Sequence, residues 1–236
     1  MGEAPFMKLV GRLKSEQEVT NVLLTGQLAI LGSILFFSTF VLLGLIQPGY
    51  NMTRDTVSML VLGEWGWIQS VNFLMLAGMV LIFGLGLGWS IYKKVINPVS
   101  VIFGFMSLGM LIGTIFPTNP ATPRNLHELM LLSWTEQIHE LMAFMMVVLA
   151  PLLLYPVFVS LKKSPQWRSL LPYTVGVFVF NCIVGWLWIY LLGFDWFWEW
   201  KGLLQKILIT NILVWMVVMG RRMMKMSQNK TYDILK

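Results

Sequence analysis

The chain has 236 residues, of which 57% are hydrophobic and 12% charged, and its mean hydropathy is +0.72. Soluble domains carry about 25% charged residues, so this composition excludes a water-soluble surface and requires apolar side chains that face lipid. The formal charge of +6 does not point to nucleic acid, because the basic residues sit at the ends of apolar runs, and the single cysteine, Cys182, excludes an internal disulfide.

Residues 1–20 include Glu3, Lys8, Arg12, Lys14, Glu16 and Glu18, with no apolar core leading to a small-residue cleavage site. The first apolar run is therefore expected to act as an uncleaved anchor. A crossing helix needs roughly 20 apolar residues. Taken in order, Val22–Leu45, Ile68–Ile91, Val99–Pro117, Ile138–Leu161, Leu170–Leu192 and Leu203–Gly220 qualify. Helices satisfy their own backbone polar groups, as lipid requires. The expected fold is all-α, a polytopic six-transmembrane-helix bundle over residues 22–220. A short segment, 1–21, precedes it and a basic tail, 221–236, follows it.

After the first span comes Gln47-Pro-Gly-Tyr-Asn-Met-Thr-Arg-Asp-Thr-Val-Ser58. Pro48-Gly49 signals a turn, and Thr53 or Asp55 is a candidate cap for a short interfacial helix through Leu62. Arg54 and Asp55 would point in different directions on one helix; Arg54 suits an anion and Asp55 an acid, base or ligand. In the second and third spans, Gly84 and Gly88, and Gly109 and Gly113, have the four-residue spacing that lets helix backbones approach closely.

Before the fourth span, Thr122-Pro123 marks the start of a short helix carrying His127 and Glu128. Ser133 and Glu136 form a capping-box pattern that starts the fourth span. Glu136, His139 and Glu140 then share roughly one helix face. Pro151 and Pro156 are expected to kink that span. Ser107, Asn181 and Asn211 lie near the midplane, where interhelical hydrogen bonding is the favoured role and a ligand-binding layer the alternative. No Asp, Glu, Lys or Arg is at that depth, which argues against a proton relay. Phe194-Asp-Trp-Phe-Trp-Glu-Trp200, between the fifth and sixth spans, reads first as an interfacial aromatic belt and second as a lid.

Lys8, Arg12, Lys14, Lys93, Lys94, Lys162, Lys163, Arg168, Arg221, Arg222, Lys225, Lys230 and Lys236 fall on one set of helix ends, against Arg54, Arg124, Lys201 and Lys206 on the other. The asymmetry places both termini in the cytoplasm. The opposite face then carries both histidines and Asp55, Glu64, Glu128, Glu136, Glu140, Asp195 and Glu199, so polar chemistry is expected there.

Two functions compete. The leading one is a multi-pass protein of the cell membrane, of prokaryotic cytoplasmic type, that binds or transports a lipid or apolar small molecule. Its pocket would open to the outer face, with Arg54, Asp55, His139, Glu140, Trp196 and Gln205 at the mouth, no cofactor, and membrane lipids as partners. The alternative is a metal-dependent hydrolase acting on lipid, with Glu136, His139, His127 and Asp55 around zinc or iron. A homo-oligomer or a subunit role is compatible with the glycine seams. A haem shared by His127 and His139 is disfavoured by their spacing of twelve. No phosphate loop, nucleophile elbow or His-Glu-x-x-His is present.

The order of motifs resembles the prokaryotic membrane family catalogued as domain of unknown function 998. The matching features are Pro48-Gly-Tyr, Thr56-Val-Ser58-Met-Leu60, Asn72, Gly78, Gly109 through Pro117, His139 through Phe144 and Gly202-Leu-Leu-Gln205-Lys206. The resemblance implies a six-helix fold and no assigned activity. Members of that family carry an Asp where this chain has Met59. A fainter likeness to the CREST membrane hydrolases stops short of their sites, because their terminal His-x-x-x-His pair is missing here.

Overall fold

The computed structural model describes residues 5–116, 118–120, 126–146, 154–191 and 194–235. The described residues are helical and turn structure, with no strand among them. The helices are α1 (Pro5–Ile46), α2 (Gly66–Tyr92), α3 (Pro98–Ile115), α4 (Leu126–Leu131), α5 (Trp134–Phe144), α6 (Tyr155–Lys163), α7 (Leu171–Leu191) and α8 (Lys201–Leu235). Short 3₁₀ turns occupy Val57–Leu62, Arg168–Leu170 and Asp195–Glu199. Among the described residues, five segments are long and apolar enough to cross a membrane: Glu16–Ile46, Gly66–Tyr92, Pro98–Ile115, Arg168–Leu191 and Lys201–Asn229. This is a multi-pass membrane protein.

The expected fourth span, Ile138–Leu161, is described only in part, as α5 and α6, and Pro151 lies outside the described residues. Pro156 falls in the first turn of α6 rather than inside a helix, where its missing N–H has no bond to lose. Whether the span kinks there turns on residues 147–153, which lie outside the described residues. The opening of α4 at Thr122-Pro123 also lies outside the described residues.

Lipid gives helices no hydrophobic reason to associate, so close backbone approach and polar contacts hold the bundle together. Backbone meets backbone where α1 crosses α8. A Cβ on Gly26 would stand 2.6 Å from the Gly220 carbonyl oxygen, and one on Gly220 would stand 2.7 Å from that of Gly26. The expected α2 seam is present: Gly84 receives the Phe103 side chain and Gly88 the Asn97 amide, both from the α3 side. On α3, Gly109 and Gly113 receive Met146 and Met142 from the other flank. Ser107 Oγ donates to the Ala77 carbonyl at 2.8 Å, the interhelical bond its depth predicts. The centre is aromatic, with Phe83 edge-on to both Phe103 and Trp215 at 5.3 and 5.6 Å between ring centres. Trp215 Nε1 donates to Thr174 Oγ1 on α7.

Two ends are distinct. At one, Lys93 pairs with Glu18 at 3.9 Å, Tyr92 meets Ser160, Trp167 Nε1 donates to Ser90, and Arg222 donates to the Gln166 carbonyl. Both chain termini project from this terminal end, since α1 and α8 run antiparallel. The other, the mouth end, gathers the loop after α1, the start of α5 and the start of α8.

Candidate functional site

The loop after α1 is locked to the first turn of α8. Tyr50 Oη donates to the Asp55 and Thr56 carbonyls at 3.1 and 3.0 Å. Burial first, and the Asp55 charge second, push the Tyr50 phenol well up, so it remains a donor. The Leu203 N–H donates to the Thr53 carbonyl at 2.7 Å, satisfying an orphan donor at the start of α8. Lys206 Nζ donates to the Asp55 carbonyl. Gly202 sits so near Asp55 that any Cβ would strike its carbonyl.

Val57–Leu62 is the short helix expected in this loop, but Thr53 and Asp55 do not cap it. Thr56 is the residue before it and makes no side-chain cap. The Val57 N–H is instead taken by Gln205 Oε1 from α8, at 2.9 Å. A cap supplied from 148 residues away leaves no local pattern in the sequence.

Arg54 and Asp55 pair with each other. Because they lie on a turn and not on a helix, Arg54 Nε reaches Asp55 Oδ1 at 2.8 Å and Nη2 reaches Oδ2 at 3.3 Å. Asp55 Oδ2 also accepts the Asn51 N–H at 2.8 Å. Burial works to raise the Asp55 carboxyl. The Arg54 and Asn51 hydrogen bonds and the charges of Arg54 and Lys201 outweigh it and hold the group below the usual carboxylate range. Lys201, itself buried, lies 3.8 Å over the Trp198 ring and within electrostatic reach of both Asp55 and Glu140. Trp196 is exposed, as an aromatic belt requires. The side chain of Asp195 lies outside the described residues.

The expected capping box forms. Ser133 accepts the Glu136 N–H, and Glu136 Oε2 accepts from the Ser133 backbone and hydroxyl at 3.0 and 2.6 Å. Asn119 donates to Glu136 Oε1 at 2.6 Å. These bonds, led by the Ser133 hydroxyl, hold the Glu136 carboxyl below its ordinary range. His139 turns to α3, with Nδ1 2.7 Å from the Gly113 carbonyl and 3.1 Å from that of Phe116. Both partners are acceptors, so Nδ1 carries the proton and the neutral ring presents Nε2 as a lone-pair acceptor.

The residues read as an alternative metal set therefore go to separate partners. Glu136 closes a cap, His139 braces α3, Asp55 pairs with Arg54, and His127 is exposed on α4. Among the described residues, no three His, Cys, Asp or Glu side chains are grouped to hold a metal ion.

A cavity of about 190 Å³ opens between the helices. His139, Ser58, Thr114 and Gln205 line its mouth-end part, and Val80, Met106, Asn181 and Met216 its deeper part. Of the six residues expected at a ligand mouth, His139 and Gln205 line it. Arg54, Asp55, Glu140 and Trp196 do not. Gln205 spends Oε1 on Val57, which leaves its amide N–H groups as donors. Five methionines in the wall, Met106, Met110, Met142, Met146 and Met216, give it a deformable apolar lining.

Asn181 departs from the favoured reading of its depth. It is 1% exposed, yet neither Oδ1 nor Nδ2 has a hydrogen-bond partner among the described residues. An unmade pair of amide bonds in apolar surroundings costs about 1–3 kcal/mol per group. The residue lines the cavity.

A family model described as "Protein of unknown function (DUF998)" matches residues 30–222. No curated protein and no solved structure matches the chain.

Proposed function

This chain belongs to the DUF998 family, and we propose that it is a six-span cell-membrane protein that holds a single-chain lipid or similar amphipathic molecule. The pocket opens toward the outer leaflet, and the termini are cytoplasmic.

The path of the chain between α3 and α7 supports six spans. His139 bonds Gly113 at the mouth end, and Ser160 bonds Tyr92 at the terminal end. His139 and Ser160 thus lie at opposite ends of the bundle, as the two ends of a crossing segment would. The orientation rests on the Lys and Arg asymmetry.

The observation that supports the ligand reading is Asn181, a buried amide in the wall of an apolar cavity whose donor and acceptor have no hydrogen-bond partner among the described residues. Its lining on α8 runs from Gln205 to Met216, about 16 Å along a helix. A small volume drawn out over that length suits one flexible chain better than a fused ring system. The open amide suits a chain bearing a hydroxyl, carboxyl or amide group. At the mouth end, His139 Nε2 offers an acceptor and Gln205 Nε2 a donor for a polar terminus.

Native mass spectrometry of protein extracted in mild detergent tests this reading. The wild type is expected to retain a single-chain amphiphile or to take one up in exchange. Asn181→Leu and Ala143→Phe should lose it while melting no lower than wild type. A wild-type protein that retains and exchanges no such molecule would refute the proposal.

A further inference from the structure

We propose that a second groove, at the terminal end between α1, α2 and α8, binds the phosphate headgroup of an anionic phospholipid. This site is independent of the cavity described above. It encloses about 320 Å³, and Lys93, Arg222 and Lys225 stand on its walls with Glu18. Among the described residues, three cations stand against one carboxylate in the groove.

The cations are placed rather than scattered. Arg222 is anchored by Nε and Nη2 to the Gln166 carbonyl, at 3.1 and 2.6 Å. That bond fixes the guanidinium plane and leaves the Nη1 hydrogens for another acceptor. Lys225 follows three residues later, on the same side of α8. Lys93 closes α2 in the left-handed region, at φ 55°, which is disfavoured for a residue with a side chain. Glycine is the usual residue there. Lysine at that position puts an ammonium at the groove, 3.9 Å from the Glu18 carboxylate.

The depth selects a lipid over a soluble phosphate. Apolar side chains of Val19, Val22 and Met226 line the same groove. The apolar run of α1 starts at Val22 and the helix of α2 ends at Tyr92, so the groove lies at headgroup level. A phosphodiester would meet the cations while its glycerol and first methylenes lie on the apolar wall. A basic pocket between helix ends has the form expected of a site for anionic headgroups.

The test uses the full chain in nanodiscs of phosphatidylcholine with a minor fraction of phosphatidylglycerol, read by the lipids retained in native mass spectrometry. Wild type should retain about one phosphatidylglycerol selectively. Lys225→Gln should lower retention about fivefold. Lys93→Gly should do the same while melting no lower than wild type, since glycine fits that backbone. Lys162→Gln, an equal charge change on an exposed residue of α6, should leave retention unchanged. Retention that falls equally in Lys162→Gln would reduce the effect to a general field and overturn the site. So would equal retention of both lipids by wild type. Displacement of the lipid by millimolar glycerol phosphate would overturn the lipid assignment in favour of a soluble phosphate.

Discussion

Gln205 Oε1 accepts the Val57 N–H at 2.9 Å, fastening the loop after α1 to the first turn of α8. Around this bond lie the Tyr50 phenol, the Asp55 carbonyl, Gly202 and Lys206, which belong to the two sequence motifs most distant from each other. One bond thus serves two ends. It satisfies a buried donor, and it holds Gln205 where its amide faces the cavity. Gln205→Leu is expected to lower stability by about 1–3 kcal/mol, because the Val57 N–H is left unmade in a buried place. Gln205→Glu keeps an acceptor and should lose less. Thermal unfolding in detergent ranks the three proteins; equal melting of Gln205→Leu and wild type would show that the bond does not stabilise the fold.

The α1–α8 crossing makes a second prediction. A methyl on Gly220 meets the Gly26 carbonyl at 2.7 Å, and backbone cannot move aside as a side-chain tip can. Gly220→Ala should cost about 1–3 kcal/mol through forced separation of the helices. Gly104, on α3, has nothing within 4 Å of an added Cβ. Gly104→Ala should therefore cost nothing and serves as the matched control. Similar losses in both variants would rule out the close crossing as the cause.

Acid stability should report on Asp55. Its carboxyl is held below the ordinary range in the folded chain, so the folded state binds the proton more weakly than the unfolded state. The carboxylate therefore stabilises the fold above the unfolded value of about 3.9. That contribution fades as pH falls below this value and through the folded one. Glu136 shifts in the same direction and adds to the same window. Melting temperature measured from pH 6 to pH 3 should fall for wild type, and Asp55→Asn should fall less steeply. Parallel curves would show that Asp55 is not a source of the dependence.

Much of the fold was legible because crossing segments announce themselves by length. The first, second, third, fifth and sixth apolar runs correspond to candidate spans with ends that differ by a few residues in most cases. The larger differences, at α1 and at the end of α8, arise because the helices continue as polar sequence beyond the apolar run. Hydropathy registers lipid contact and not helix length. The Ser133–Glu136 box was legible because both halves are local. The cavity was not. Its polar wall draws His139, Ser58, Gln205 and Asn181 from four separate elements, and their convergence depends on packing. Position at one end of the bundle is all that the sequence offers to group Arg54, Asp55, Glu140 and Trp196 with a ligand. The structure instead shows Asp55 paired with Arg54 and Asn51, a partnership that turn geometry creates and residue spacing does not reveal.

The start of α3 carries a local capping box. Asn97-Pro98-Val99-Ser100 has an acceptor at the cap, Pro at the first helical position and Ser at the third. Asn97 Oδ1 accepts the Val99 and Ser100 N–H groups, each at 3.0 Å, while its Nδ2 donates to the Lys94 carbonyl at 2.9 Å. The residue is buried and faces α2, where a Cβ on Gly88 would come within 2.5 Å of its amide. The glycine seam of α2 therefore leaves room for the cap of α3. Asn97→Ala should cost about 1–2 kcal/mol, the upper part of the range for lost caps, since water cannot readily replace the amide. Gly88→Ala should be destabilising in the native background by displacing Asn97. With Ala at 97 the obstruction is gone, and the added methyl should cost much less. The two losses would then be non-additive, with the double variant more stable than the sum of the single changes predicts. A double-mutant cycle of thermal unfolding measures this directly. Simple additivity would mean that the α2 glycine and the α3 cap act independently, and the proposed dependence of cap on seam would fail.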